Sequence, residues 1–255
     1  MHAGRTRAVA VLALVAAALV AAGAARAITF GQLDTTNRFP QVGGLVAEFD
    51  GEKFLICSGT LIDEDVFLTA SHCTVGLQDV WVTFDPSFDD ASPLHSGTAH
   101  THPLFGSGGQ SNPFDIAVVV LEEPVSGITP ARLPSAGFLD SIRLKDERFT
   151  AVGYGTVRET KRKGPHSLFF DGQRRFADQG FRSLTKSWLN LSMNPSTGSG
   201  GTCFGDSGGP HFLGSSNLVV SITVTGDRFC RASDVTYRTD TTSARDFLDA
   251  FVNLP

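Results

Sequence analysis

Gly205-Asp206-Ser207-Gly208-Gly209-Pro210 is the segment on which the reading of this chain turns. Glycines on both sides of a serine let the backbone turn sharply and bring N–H groups close to a substrate carbonyl. Outward from it run short β-branched or aromatic stretches: Phe54–Ile56, Val66–Thr69, Val80–Phe84, Ile116–Leu121, Phe149–Val152, Leu218–Val224 and Val235–Thr239. Gly, Pro, Asn and Asp punctuate them at short intervals, which predicts an all-β sandwich or barrel. Only the end has helical spacing: Thr242 or Ser243 can cap, and Ala244, Phe247, Leu248 and Phe251 share one face. Two stretches read as loops, Asp85 to Gly109 and Lys161 to Gly180. His95, His100 and His102, like Asp85, Asp89 and Asp90, lack a recognised ligand spacing, so they read as solvated side chains and no metal is expected.

The 255 residues suffice for one large domain or two small ones, and with 41% hydrophobic and 18% charged residues the chain is ordered. Its formal charge is −5, and the first 27 residues hold three basic and no acidic side chains, so the remainder is more acidic still. A phosphate-tracking surface needs a basic excess, which excludes nucleic acid as an expected partner. Arg5 and Arg7 precede an uncharged Ala/Val/Leu run from Ala8 to Ala22, and Ala25-Arg26-Ala27 supplies small residues two positions apart. This reads as a secretory signal peptide, residues 1–27, rather than a membrane anchor, which needs ~20 apolar residues. The mature chain, 28–255, is then expected to be secreted and free of membrane. Its four cysteines, Cys57, Cys73, Cys203 and Cys230, are an even number suited to an oxidising compartment and allow three pairings.

Gly205–Gly209 also fits the Gly-x-Ser-x-Gly elbow of α/β-hydrolases, in which the acid and the histidine follow the serine. Only 48 residues follow Ser207, and the sole histidine among them, His211, is four positions away. Chain order rules that architecture out. The partners must lie upstream, where Leu68-Thr69-Ala70-Ser71-His72-Cys73 sets a histidine after an apolar strand and Phe114-Asp115-Ile116-Ala117-Val118-Val119 sets a carboxylate at the mouth of another.

With those motifs the chain resembles the chymotrypsin/trypsin-like serine endopeptidase family over nearly the whole of 28–255. Thr69–Cys73 resembles the histidine motif, with Ser71 where alanine is usual; Asp115-Ile116-Ala117 resembles the aspartate motif; Gly205–Pro210 matches the serine motif. The resemblance implies two six-stranded antiparallel β-barrels, roughly 28–135 and 145–240, with the site between them and a short C-terminal helix. It implies His72, Asp115 and Ser207 as the triad, the N–H groups of Gly205 and Ser207 as the oxyanion hole, and Ser221 as support for the Asp115 carboxylate. It further implies Cys57–Cys73 and Cys203–Cys230 bridges, an activating pair between a released Ile28 terminus and Asp206, and a pocket near Gly201, Thr223 and Val235. Peptides or proteins are then the substrates of a monomer without cofactor. Gly201 stands where enzymes that cut after Lys or Arg carry an aspartate, so a small or medium apolar side chain is preferred over a basic one. Bridges common in animal members are absent, which points to a secreted bacterial member. A binding domain without activity, and an esterase, are the rival readings; all three triad residue types are present, which favours the enzyme.

Overall fold

The computed structural model describes residues 28–158 and 167–255. The expected signal segment, 1–27, lies outside the described residues. Strands follow one another almost without helix: β1 (Gln32–Leu33), β2 (Val42–Phe49), β3 (Glu52–Leu61), β4 (Val66–Thr69), β5 (Asp79–Thr83), β6 (His95–Thr101) and β7 (Ala117–Leu121), with the single turn α1 (Ser71–Thr74) after β4. After α2 (Phe138–Ser141) come β8 (Arg148–Gly153), β9 (Val157–Arg158), β10 (Leu168–Phe169), β11 (Arg175–Leu184), β12 (Trp188–Ser192), β13 (Pro210–Leu213), β14 (Val219–Gly226), β15 (Ser233–Arg238) and the terminal α3 (Thr242–Leu248).

Six strands close a first barrel in the order β2-β3-β4-β7-β6-β5. A second closes as β8-β11-β12-β15-β14-β13, its ends joined by the β11–β8 and β13–β8 pairings. All pairings within the two barrels are antiparallel, as the alternating, β-branched runs require. Small barrels need small residues where chains cross closely. A Cβ at Gly59 would overlap the Phe67 ring, and one at Gly97 would meet Val119 and the Val120 carbonyl. The ends of the chain are exchanged between the barrels. β1 adds to β11 of the second, while α3 and the residues after it lay Phe247 and Phe251 against His102 and His100 of the first, at ring distances of 4.9 and 5.1 Å.

Three local expectations need correction. His95–Thr101, read as loop, is β6, and Arg175–Gly180, also read as loop, is the first part of β11. Both are polar strands whose partners on either side supply the apolar contacts, so their own composition hides them. The cap of α3 is Thr241, one residue earlier than expected, its hydroxyl accepting from the Ala244 N–H at 3.2 Å.

Candidate active site

The pairing of β4 with β7 sets Thr69 opposite Ala117. Two strands ending side by side deliver the residues just past their ends to one place, and these are His72 on α1 and Asp115 before β7. His72 Nδ1 lies 2.8 Å from Asp115 Oδ2, and the His72 backbone N–H donates to Asp115 Oδ1 at 3.0 Å. The aspartate side chain is 6% exposed and the imidazole 34%, so the carboxylate is shielded while the ring reaches the cleft. Phe114 holds a positive φ of 55°, an uncommon backbone state for a bulky residue that turns Asp115 inward. Ser71 steadies that turn: its hydroxyl donates to the Ile116 carbonyl at 2.7 Å, lies 3.2 Å from that of Phe114, and accepts from the His102 N–H.

Ser207 lies on the turn leading into β13. The turn is fastened to both barrels, with Ser58 N–H donating to the Ser207 carbonyl at 2.9 Å, Gly208 N–H to that of Thr223 at 2.8 Å, and Ser58 Oγ to that of Gly205 at 3.0 Å. Glycine is required here: Gly205 and Gly208 have φ of 94° and 77°, and a Cβ at Gly208 would overlap Thr69 Oγ1 and the Ser58 carbonyl. The N–H groups of Asp206, Gly208 and Gly209 are spent on backbone carbonyls, whereas those of Gly205 and Ser207 donate to no group among the described residues. Ser207 Oγ makes no hydrogen bond to the imidazole, the looser arrangement common before substrate binds. Disulfides join Cys57 to Cys73, beside the histidine, and Cys203 to Cys230, beside the serine.

The sequence profile of the trypsin family matches residues 28–248. The chain belongs to the trypsin family. Among its curated relatives are a collagenase of Hypoderma lineatum, 25% identical over 73% of this chain and 72% of that one, and a trypsin of Saccharopolyspora erythraea, 28% identical over 71% and 79%. A chymotrypsin of Phaedon cochleariae is 28% identical over 81% and 75%. A solved structure of HL collagenase shares the fold with a TM-score of 0.69 at 21% identity, covering 89% of this chain and all of that one. This trypsin-family chain is accordingly a serine endopeptidase, a hydrolase of peptide bonds.

In this family member a cavity of about 330 Å³ opens beside Ser207, walled by Thr202–Phe204 on one side and Thr223–Arg228 on the other. Thr223 lines it. Gly201 and Val235 stand behind it: Gly201 packs so tightly on Met193 and Gln179 that a side chain there would overlap both, and Val235 pairs with Thr225 and Asn190 in the sheet. Ser221 does not reach Asp115; its hydroxyl accepts from Thr236 Oγ1 at 2.8 Å inside the second barrel. Thr223, two residues further along the same strand face, carries a buried hydroxyl with no protein partner.

Asp206 is fully buried in a slot between Gly153 and Gly155, where a Cβ on either glycine would overlap its carboxylate. It accepts N–H groups from Gly155 and Cys203, both at 2.8 Å, and enters no ion pair among the described residues. Burial pushes its pKa up to about 7, and the nearby Asp234 charge adds to the rise. Ile28 is buried against Ala151 and Ala177, and the Gly201 N–H donates to the Thr29 carbonyl at 2.9 Å, so the segment after Ala27 is docked on the second barrel. Sequence reasoning missed a further buried group: His211 Nε2 lies 3.0 Å from Asp234 Oδ2, which also accepts from Gln179 at 2.9 Å. Its only signal was a histidine on the apolar β13 and an aspartate on β15.

Proposed function

We propose that this protein is a secreted endopeptidase that cleaves through a His72–Asp115–Ser207 triad and an acyl-enzyme intermediate. Ser207 Oγ attacks the peptide carbonyl as His72 Nε2 takes its proton, and the imidazolium then protonates the leaving amine; water repeats the sequence to release the acid. Asp115 holds the imidazole with Nδ1–H toward itself and stabilises the cation. The free N–H groups of Gly205 and Ser207 receive the oxyanion, each such donor lowering the barrier by about 3–4 kcal/mol. The observation that carries this is the 2.8 Å His72–Asp115 contact, held across one cleft from a serine whose flanking amides are unspent.

Activation follows from the Asp206 slot. Cleavage after Ala27 would free the Ile28 ammonium, a cation of the size and charge that a buried, unpaired carboxylate lacks. Export then releases activity, and the two disulfides suit an oxidising exterior. Few bridges favour a bacterial source, and a monomer holds the complete site. Gly201 itself provides no carboxylate for a Lys or Arg side chain at the pocket base. The test is a fluorophosphonate, which should label the protein once, at Ser207, while Ser207→Ala and His72→Ala abolish both labelling and peptide cleavage. Labelling at another residue, or activity kept in either variant, overturns the assignment.

A further inference from the structure

A third strand ends beside the two that deliver His72 and Asp115. Ala117 of β7 stands opposite Thr69 of β4 on one side and Thr101 of β6 on the other, so His102, the first residue past β6, is set down close to the catalytic pair. Read from sequence as a solvated side chain, it is 7% exposed. Its backbone N–H donates to Ser71 Oγ at 3.2 Å, and its ring stacks on Phe114 with centroids 4.8 Å apart and planes 25° apart. Phe247 of α3 adds a second ring at 4.9 Å. His102 therefore touches the residue that precedes each member of the pair, Ser71 before His72 and Phe114 before Asp115.

The ring's hydrogen bond selects its charge state. His102 Nδ1 accepts the Leu104 N–H at 3.1 Å, which only a neutral imidazole with its hydrogen on Nε2 can do. A proton on Nδ1 sets two N–H groups against each other and leaves a charge between phenyl rings. Burial pulls the pKa below its ordinary 6.5, and a hydrogen bond to the Ser243 carbonyl works the other way. The neutral ring contributes stability that is complete above pH 6.5 and is lost as pH falls through the lowered folded value. His102 lines a cavity of about 680 Å³ between β6 and α3, where the other titratable groups are His100 and Asp246. Tyr237 of β15 reaches the same corner through Asn112 and Ser243, at 2.6 and 2.9 Å, while Arg245 of α3 turns away to the Pro134 and Pro255 carbonyls.

We propose that His102 is a positioning residue for the triad and a proton-operated latch on it: neutral, it braces the turn at Phe114 that aims Asp115 at His72; protonated, it lets that turn slacken. This rests on the triad reading above. Phe114 holds φ of 55°, a backbone state that costs a bulky residue energy and persists only where the surroundings impose it. The stacked His102 ring is part of that imposition, and the Leu104 N–H holds the ring in place.

The experiment follows the second-order rate at which a fluorophosphonate labels Ser207, from about pH 8 to about pH 4, in protein that begins at Ile28. That rate needs an aligned base and no particular peptide side chain. His102→Asn offers an amide oxygen that can accept the Leu104 N–H and cannot titrate. The ratio of the wild-type rate to the His102→Asn rate cancels the His72 proton, which both proteins share. It should stay level above pH 6.5 and then fall about fivefold, the worth of one ordinary hydrogen bond, along the same curve as the His102 ring signal in NMR. His102→Leu, which loses the acceptor, should label about fivefold more slowly at every pH, and His102→Asn should recover most of that loss at neutral pH. A purely structural role would slow the Leu variant and leave the ratio level. A level ratio, a ring that titrates at or above 6.5, or a Leu variant as fast as wild type overturns the proposal. Should the Leu variant fail to fold, the ratio and the ring titration still decide. Absence of wild-type labelling at Ser207 strikes the triad reading itself, and the latch falls with it.

Discussion

The first barrel buries Val42, Leu45, Phe67, Leu68, Val80, Val82 and Val118, and the pair it brings to the site, His72 and Asp115, is already hydrogen-bonded. The second buries His211, Asp234, Gln179, Arg175 and Asp206 alongside its apolar residues. All six buried side-chain polar atoms that lack a protein partner among the described residues sit on it or on the segment docked to it: Thr29, Arg175, Gln179, His211, Thr223 and Asp234. Two barrels of the same size and topology thus divide the labour. An apolar barrel is stable whatever the chemistry around it, and it fixes the base and its orienting carboxylate in advance. A barrel with charged groups inside depends on how they are neutralised, so its serine turn and cavity respond to what arrives at Asp206.

The comparison is broken most directly at the pieces each barrel supplies. Ser207→Ala or His72→Ala should lower kcat by about 10⁵–10⁶-fold, measured against background hydrolysis, and the pair together no further. Asp115→Asn should cost about 10⁴-fold by presenting the wrong imidazole tautomer. Additive losses would mean that the halves act separately.

Next in size is the charge inside the second barrel. His211→Ala leaves the Asp234 carboxylate buried with Gln179 alone and should destabilise the protein by about 3–5 kcal/mol in urea melts. Leu68→Ala, in the first barrel, should cost about 2–5 kcal/mol through a cavity. They differ in rescue: His211→Gln, which can still donate a hydrogen bond to Asp234, should recover part of the loss, whereas Leu68→Gln should recover none. Equal rescue would mean that the second barrel is no more electrostatic than the first.

The N-terminus sharpens the contrast. Protein beginning at Ile28 should exceed one carrying extra residues by about 10²–10³-fold in kcat/KM, the worth of one oxyanion donor. Asp206 shows the sign of the pH effect. Its folded pKa, about 7 without a cation, lies above the ordinary 3.8, so the folded state binds the proton more tightly and stability falls as pH rises from about 4 to about 7. The extended protein should show that fall in thermal melts. The Ile28 form, with the carboxylate paired, should not, and its activity should fade only as pH rises through an ammonium pKa raised above the ordinary value of about 8. Equal activity of the two forms would remove the proposed switch.

How far the sequence was legible follows the same division. Strands of the first barrel such as Val66–Thr69 and Ile116–Leu121 announce themselves by apolar runs, and the motifs of His72, Asp115 and Ser207 lie at turns where glycine or a strand end leaves one geometry. The disulfide pairing came from family likeness and not from spacing. The second barrel is harder because polar residues line it: β11 begins Arg175-Phe176-Ala177-Asp178-Gln179 and reads as a loop until closure against β8 buries it. Ser221, expected to support Asp115, instead pairs with Thr236 inside the second barrel, while Thr223, two residues along the same strand, lines the cavity as expected. The cavity wall at Asp227 and Arg228 depends on the fold of a loop, which no periodicity encodes.

Two buried serines of the first barrel offer the smallest and finest comparison. Ser71 ties the histidine turn to the aspartate turn within one barrel, through Ile116 at 2.7 Å and the His102 N–H at 3.2 Å. Ser58 reaches across, donating to the Gly205 carbonyl at 3.0 Å and accepting from the Tyr154 N–H at 3.0 Å. Truncating either to alanine strands one buried N–H and should cost a similar ~1–3 kcal/mol of stability. Their effects on turnover should part. In Ser71→Ala the His72 N–H still holds Asp115 Oδ1, so the pair stays aligned and kcat/KM should fall by less than about threefold, under the worth of one ordinary hydrogen bond. In Ser58→Ala the Gly205–Asp206 peptide loses the contact that anchors its carbonyl, and the turn that carries the Gly205 N–H, one peptide earlier, is held less firmly toward the oxyanion. A loss of about tenfold, carried by kcat and leaving KM in place, is then expected, because the donor acts only in the transition state. Equal kinetic losses in the two variants would mean that the first barrel's half of the site is as pliable as the second's.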